Sequence, residues 1–321
     1  MTRHNVLVTG ATGFIGAALV NSLCSSGQYK VWAGCRRRGG AWPRGVTPLL
    51  LGELGSSVVW DAESAIDTVV HCAARVHVMS ETASDPLVEF RKANVQGTLD
   101  LAREAVSRGV RRFIFISSIK VNGEGTEPGR PYTADSPPNP VDPYGVSKRE
   151  AEQALLDLAE ETGLEVVIIR PVLVYGPGVK ANVQTMMRWL KRGVPALPLG
   201  AIHNRRSLVS LDNLVDLIIT CIEHPAAVGQ VFLVSDGEDL STTELLRRMG
   251  RALGAPARLL PVPASWIGAA AKVLNRQAFA RRLCGSLQVD IMKTRQVLGW
   301  TPPVGVDQAL EKTARSFLDR Q

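Results

Sequence analysis

The chain has 321 residues, a formal charge of +7, and five cysteines at 24, 35, 72, 221 and 284. That length holds one large α/β unit or two modest domains, and no apolar run approaches the roughly 18 residues of a spanning helix. The first four residues lead straight into a strand pattern rather than a secretory leader. No Cys pair has CxxC or metal-ligand spacing, so reduced thiols in a cytoplasmic protein without a metal site are expected. No basic run is interleaved with aromatics in the manner of a base-stacking surface. The positive balance is therefore read as a signal for acidic small ligands or as plain surface charge, and nucleic acid is not an expected partner.

Residues 5–9 form a strand signal, followed at once by Gly10-Ala-Thr-Gly-Phe-Ile-Gly16 and a helical pattern over 17–26. Strand, glycine-rich turn and helix together make a pyrophosphate cradle: glycines admit a tight turn, and the helix N-terminus offers free N–H groups. Gly10, Thr12, Gly13, Phe14, Ile15 and Gly16 are the expected cofactor contacts here. A second strand, 30–34, runs into Cys35-Arg36-Arg37-Arg38. An NAD-binding fold places an acidic residue about 20 residues past the glycines, where it holds the ribose 2′-OH. This chain has no Asp or Glu before Glu53. Arg36 and Arg37 stand there instead and suit a 2′-phosphate, so NADP(H) is the expected cofactor, with NAD(H) possible.

Residues 46–51 read as a third strand, with Glu53 and Leu54 beyond it as adenine contacts. A fourth strand over 68–74 ends in the small residues Ala73 and Ala74, which suit close passage of a cofactor. His71 on that strand is read as a core histidine. Residues 86–108 read as one long helix whose polar Asn94 suggests a hydrogen-bonding role. The run 112–116 is a buried parallel strand ending at Ser118. Tyr144 and Lys148 are four residues apart on the next helix and share a face. A Ser hydroxyl beside a phenol and an ammonium is a proton-transfer device. The lysine charge is expected to lower the pKa of the tyrosine, which is ordinarily about 10. Residues 165–169 are a further strand, ending in Arg170-Pro171. Strand–helix alternation over the first 170 residues argues a doubly wound parallel sheet of Rossmann type, with ligands beyond the carboxyl ends of its strands.

Past Arg170 the pattern changes. A turn cluster covers 174–178, a helix 182–192 and a Pro-rich connector 194–200; a helix is capped by Asp212, and a strand lies at 231–235. Another helix starts from Ser241. These later segments are read as a smaller C-terminal substrate-binding domain. The division is 1–175 with 205–235 for the dinucleotide, and 176–204 with 236–321 for the substrate. Residues 264–274 are apolar, with Trp266 inside and Arg276, Arg281 and Arg282 nearby. A buried helix and an amphipathic surface anchor share that pattern.

Thr9-Gly-Ala-Thr-Gly-Phe-Ile-Gly16, His71-Cys-Ala-Ala74, Asn94-Val-Gln-Gly-Thr98, Ser117-Ser118, Tyr144-Gly-Val-Ser-Lys148 and Arg170-Pro171 occur in that order. Together they resemble the extended short-chain dehydrogenase/reductases, in the nucleotide-sugar epimerase/dehydratase/reductase branch. The segments 73–78 and 117–123 are similar to bacterial reductases of UDP-4-keto-6-deoxy-N-acetylhexosamine, which serve surface polysaccharide and O-antigen synthesis. The alternative within the branch is a UDP-hexose or UDP-N-acetylhexosamine 4-epimerase with tightly held NAD. The resemblance implies a catalytic triad of Ser118, Tyr144 and Lys148. It also implies that Asn94 supports the lysine, that Pro171 flanks the cofactor, and that Asn182, Arg206 and Asp290 contact a UDP-sugar. A homodimer through the helices at 86 and 144 is implied as well. Asn122 stands where the sugar epimerases usually have Tyr, and is expected to alter the sugar-facing surface. That departure and the arginine run favour the reductase.

Overall fold

The computed structural model describes residues 3–37, 42–56, 60, 65–76, 85–127, 129–193 and 197–320, with the backbone alone at 278 and 279. Seven parallel strands form its main sheet: β1 His4–Thr9, β2 Tyr29–Cys35, β3 Val46–Leu50, β4 Thr68–His71, β5 Arg112–Ile116, β6 Glu165–Pro171 and, later in the chain, β9 Val231–Val234. Their order is β3-β2-β1-β4-β5-β6-β9. Every residue of β4 and β5 is buried, because helices cover both faces of the sheet. Side chains alternate between two cores with the period-2 pleat. Val6, Val8, Ile114, Ile116, Val167 and Ile169 point to one side. Leu7, Val69, Phe113, Phe115, Val166 and Ile168 point to the other. The first core is closed by α1 Phe14–Ser26 and α6 Leu211–Glu223, the second by α3 Gly97–Ser107 and α4 Pro143–Thr162.

Between β4 and β5, α2 Pro86–Phe90 passes into α3 through a π-helical turn, Arg91–Gln96. The expected single helix over 86–108 is thus continuous in course but widened by one residue in its middle. A three-stranded sheet, β10-β8-β7, is built from β7 Leu173–Tyr175, β8 Arg206–Ser210 and β10 Asp239–Leu240. A third core packs α5 Ala181–Lys191, α7 Thr242–Ala252 and α11 Val306–Leu318 around Tyr175, Leu208 and Leu240. α7 begins with a full capping box between Ser241 and Glu244. The cap of α6 is Ser210, whose hydroxyl accepts from Asn213 N, and Asp212 lies in the first turn. This corrects the expected Asp212 cap: both residue types cap well, and Ser210 is placed there by the end of β8. The tail adds α8 Ala264–Val273, α9 Gln277–Cys284 and α10 Met292–Leu298. Leu298 and Trp300 return to the first sheet core, so the end of the chain packs on both parts.

Candidate active site

The strand order reverses between β1 and β4, and a crevice opens beyond their carboxyl ends, where such sheets take ligands. Gly10 has φ +64°, and a Cβ there would come within 2.8 Å of Ala73 N. A Cβ on Gly16 would come within 2.2 Å of Gly10 O, so α1 can press on the turn only with glycine at that point. Thr12 and Gly13 are exposed, and Phe14 and Ile15 half-buried, at the helix start. Thr12, Arg36, Glu53 and Leu54 line one hollow with Gly10, so the crevice runs from the glycine turn to the ends of β2 and β3. Arg36 and Arg37 are exposed, and Arg38 lies outside the described residues. The hollow and its glycine cradle fit a dinucleotide. Residues 52–56 lie flat against the π-helical turn, where a Cβ on Gly97 would meet Gly55 N at 2.6 Å.

His71 is fully buried between Thr9 Oγ1, 2.7 Å from Nδ1, and Thr98 Oγ1, 3.1 Å from Nε2. Burial, helped by the charge of Lys148, pushes its pKa down to about 3. It is a neutral structural link between β1, β4 and α3. Ala73 N donates to Thr9 Oγ1 at 3.3 Å, which holds the Ala73-Ala74 exit beside the glycine turn.

α4 starts with Asp142 as N-cap, its Oδ1 accepting from Gly145 N at 2.6 Å, and Pro143 in the first turn. A Cβ on Gly145 would come within 2.8 Å of Lys120 O, so this glycine lets the helix start press against the turn that follows Ser118. An ion pair from Lys120 to Asp142 closes the same contact. Ser118 and Tyr144 are thereby brought into a side-chain hydrogen bond. The Tyr144 ring packs edge-on to Phe90, centroids 6.1 Å apart. Lys148 is buried, with Nζ donating to Ile116 O at 2.8 Å and lying 4.3 Å above the Phe115 ring.

One expectation is corrected here. Tyr144 is pushed up to about 12, with burial the largest cause and the Ser118 hydroxyl pulling the other way. The ammonium is directed at the β5 carbonyl, and burial lowers its own pKa to about 8. With this electrostatic balance, Tyr144 is a protonated group, a donor of hydrogen bonds and protons.

The π-helical turn sets Asn94 into the interior. Its Oδ1 accepts from Arg75 N at 2.8 Å, and its Nδ2 donates to Arg75 O and to Ser147 Oγ, each at 3.0 Å. Asn94 thus ties the exit of β4 to the residue next to Lys148. Next to Ser118 and one turn beyond Lys148 lies a buried network, built on Glu152, that the sequence reading missed. Glu152 accepts from Ser117 Oγ at 2.5 Å and from Arg170 Nε and Nη2 at 2.9 and 2.6 Å. Arg170 Nη1 donates to Asn122 Oδ1 at 3.1 Å. Asn122 is only 1% exposed, and its amide donates to Ser136 O, so it faces this network and not an open sugar surface. That overturns its use as evidence about the sugar. The signal for Glu152 was present: it continues the stripe Tyr144, Lys148 by one more step of four. Pro171 is buried at the end of β6, paired with Val234 of β9.

The expected substrate residues lie apart in the fold. Arg206 opens β8 and donates from Nη1 to Arg282 O and Gly285 O at 3.0 and 3.1 Å; burial lowers its pKa. Asp290 accepts from Met292 N at 2.7 Å, and its own N–H donates to Tyr132 O. The extended segment 286–290 bridges Leu287 to Arg206 and Val289 to Tyr132, so Arg206 and Asp290 share one strip beside the loop that follows Ser118. Asn182 is exposed in the first turn of α5, after Ala181 at φ 54°. No hydrogen bond joins it to that strip among the described residues. No group of His, Cys, Asp and Glu that could hold a metal occurs among them either, and no described helix is long and apolar enough to cross a membrane.

Comparison with known proteins agrees with this geometry. The sequence profile of the NAD dependent epimerase/dehydratase family matches residues 6–235. The chain is 47% identical over 317 residues to a UDP-glucose 4-epimerase of Vibrio cholerae, covering 98% of this chain and 95% of that one. It is 27% identical to a GDP-6-deoxy-D-mannose reductase of Pseudomonas aeruginosa, covering 97% and 95%. Among solved structures, MoeE5 in complex with UDP-glucuronic acid and NAD superposes with a TM-score of 0.75 at 26% identity, covering 99% of this chain and all of that one.

Proposed function

This chain belongs to the NAD-dependent epimerase/dehydratase family, and on that premise we propose that it reduces the C4 ketone of a UDP-4-keto-6-deoxy-N-acetylhexosamine. The product is UDP-N-acetylquinovosamine or UDP-N-acetylfucosamine, a precursor for surface polysaccharide. The observation that carries the reading is the end of β2. Arg36 borders the hollow beside Gly10 and Thr12, where an NAD-retaining site would have an acid. Two cations there favour NADP(H), a cofactor that exchanges at each turnover and suits reduction.

When bound, the nicotinamide supplies a hydride to C4. Gly10 to Gly16 hold the pyrophosphate, Ala73, Ala74 and Pro171 flank the cofactor, and Lys148 binds the nicotinamide ribose from the wall of the crevice. Ser118 holds the carbonyl oxygen and stabilises its growing charge. Tyr144, protonated in its buried setting, gives the proton that makes the alkoxide an alcohol. Asn182, Arg206 and Asp290 take the nucleotide and its diphosphate, Arg206 as the charge partner. The division into 1–175 with 205–235 and 176–204 with 236–321, and a homodimer through α2 and α4, belong to the same proposal.

A second reading is favoured by the Vibrio cholerae relative: a 4-epimerase with retained NAD. Mixing the protein with NADPH and the 4-keto sugar nucleotide separates the two. Stoichiometric loss of absorbance at the nicotinamide band, with a 6-deoxy product identified by NMR, is expected. Interconversion of UDP-sugar C4 epimers with no net oxidation would instead make the chain an epimerase. The double variant Arg36→Ala/Arg37→Ala is expected to raise KM for NADPH by roughly tenfold to a hundredfold and leave KM for NADH unchanged, because only the 2′-phosphate contact is lost. Equal effects on both cofactors would sink the NADP assignment.

A further inference from the structure

Lys272 is the only charged residue in α8, Ala264–Val273. A helix that is apolar all round belongs in a core or in lipid. Yet Ala271 is the only fully buried residue of α8, and Trp266, Val273 and the following Leu274 are 72%, 86% and 70% exposed. Helical spacing puts Ala264, Ile267 and Ala271 on the stripe that faces the protein. Trp266, Ala269, Ala270 and Val273 lie on the opposite stripe, which faces solvent. Both stripes are apolar, so the outward one carries apolar side chains into solvent. The hairpin turns at Asn275, φ 52°, into α9. Lys272, Arg276, Arg281 and Arg282 ring it, all exposed, and none is ion-paired among the described residues.

The hairpin itself is one-signed: residues 264–285 hold Lys272, Arg276, Arg281 and Arg282 and no acidic residue. It thus carries +4 of the formal +7. An apolar pole with Trp at its edge and an uncompensated cationic collar matches the boundary of an anionic bilayer. There the apolar side chains enter the acyl margin and the cations meet headgroup phosphates. Ten residues are too short to span. A second copy of the chain fits less well. A two-fold contact would set the collar against its own like charges, and a helix about 15 Å long covers far less than the roughly 800 Å² per partner of a stable dimer.

We propose that the α8–α9 hairpin docks this protein on an anionic lipid surface through Trp266, Val273 and Leu274, with Lys272, Arg276, Arg281 and Arg282 as the electrostatic collar. Arg206 of β8 holds the carboxyl end of α9 through Arg282 O and Gly285 O, so the docked edge adjoins the strip that carries Arg206 and Asp290. The inference does not depend on which reaction the crevice performs.

The test is vesicle co-sedimentation of the full chain. Vesicles of phosphatidylcholine alone are compared with vesicles containing about one third phosphatidylglycerol, at low and at high salt. Binding is expected to the anionic vesicles only, and to weaken with salt. The triple variant Trp266→Ser/Val273→Ser/Leu274→Ser and, separately, Lys272→Glu/Arg276→Glu are each expected to lower the partition coefficient by roughly tenfold or more. All five side chains are exposed, so the thermal midpoint and the rate in free solution should stay at wild-type values. Absence of binding to the anionic vesicles, or binding that survives the triple variant, overturns the proposal. So does a wild-type assembly in sedimentation velocity that the triple variant alone dissolves, which would make this face a contact between copies.

Discussion

Tyr144→Phe is expected to fold, to bind its dinucleotide normally and to lose roughly a hundredfold to ten-thousandfold of its hydride-transfer rate. The change removes one oxygen. The ring keeps its edge-on contact with Phe90, and the stripe that continues to Lys148 and Glu152 is untouched. The missing hydroxyl is the one hydrogen-bonded to Ser118, the group that burial keeps protonated with a pKa of about 12. Without it, the C4 alkoxide of the proposed reduction would have Ser118 as a hydrogen-bond donor but would lose the side chain proposed to deliver its proton. Single-turnover absorbance of the nicotinamide, run beside dinucleotide titration by fluorescence, reads the two properties separately. A variant that retains more than about a tenth of the rate would mean that the proton comes from elsewhere, and the role given to Tyr144 would be wrong.

The same comparison bears on Lys148. Its ammonium donates to Ile116 O and lies over the Phe115 ring. The Tyr144 pKa moves upward, with burial the largest cause. Four-residue spacing puts both residues on one helix face, yet side chains on one face can lean toward different neighbours. Spacing places Cβ atoms; the strand that packs against them decides where a long side chain ends.

The features that could be read from residues are those whose cause is local. The turn Gly10 to Gly16 is written in glycines because a Cβ on Gly10 or Gly16 would strike backbone. The parallel strands show as apolar runs because both sheet faces are covered. Their alternation with helices gives the doubly wound sheet. What stayed hidden depends on distant partners. The π-helical turn at Arg91–Gln96 shifts the helix face by one residue, and only its packing against residues 52–56 and 75 makes that shift useful. Strands β7, β8 and β10 have three, five and two residues, too few to show a period. Resemblance to the sugar epimerases put Asn122 on the sugar-facing surface, whereas a β6 arginine 48 residues later takes it inward. The 264–274 stretch fits a buried helix and a surface anchor equally in sequence, since apolar composition states a preference for burial without saying what does the burying.

The buried pair of Glu152 and Arg170 gives the largest expected change in stability. The two are 3% and 5% exposed and share two hydrogen bonds, with Ser117 and Asn122 completing the set. Removing one partner leaves a charge in the interior without its counter-ion. Arg170→Met and Glu152→Leu are therefore each expected to lose about 3–5 kcal/mol of unfolding free energy, read from denaturant midpoints. The double variant has no orphaned charge, so its loss should be smaller than the sum of the two single losses by about 1–3 kcal/mol. Additive losses would show that the pair does not act as a unit. The pair also fixes α4 to the ends of β5 and β6, one helical turn beyond Lys148 and two beyond Tyr144. Arg170→Met should consequently lower kcat more than it weakens dinucleotide binding, because the glycine cradle on β1 and α1 lies outside the network while the Tyr144 hydroxyl depends on the seating of α4. A variant that lost stability but kept full kcat would confine the network to holding the fold and free it of any part in placing Tyr144.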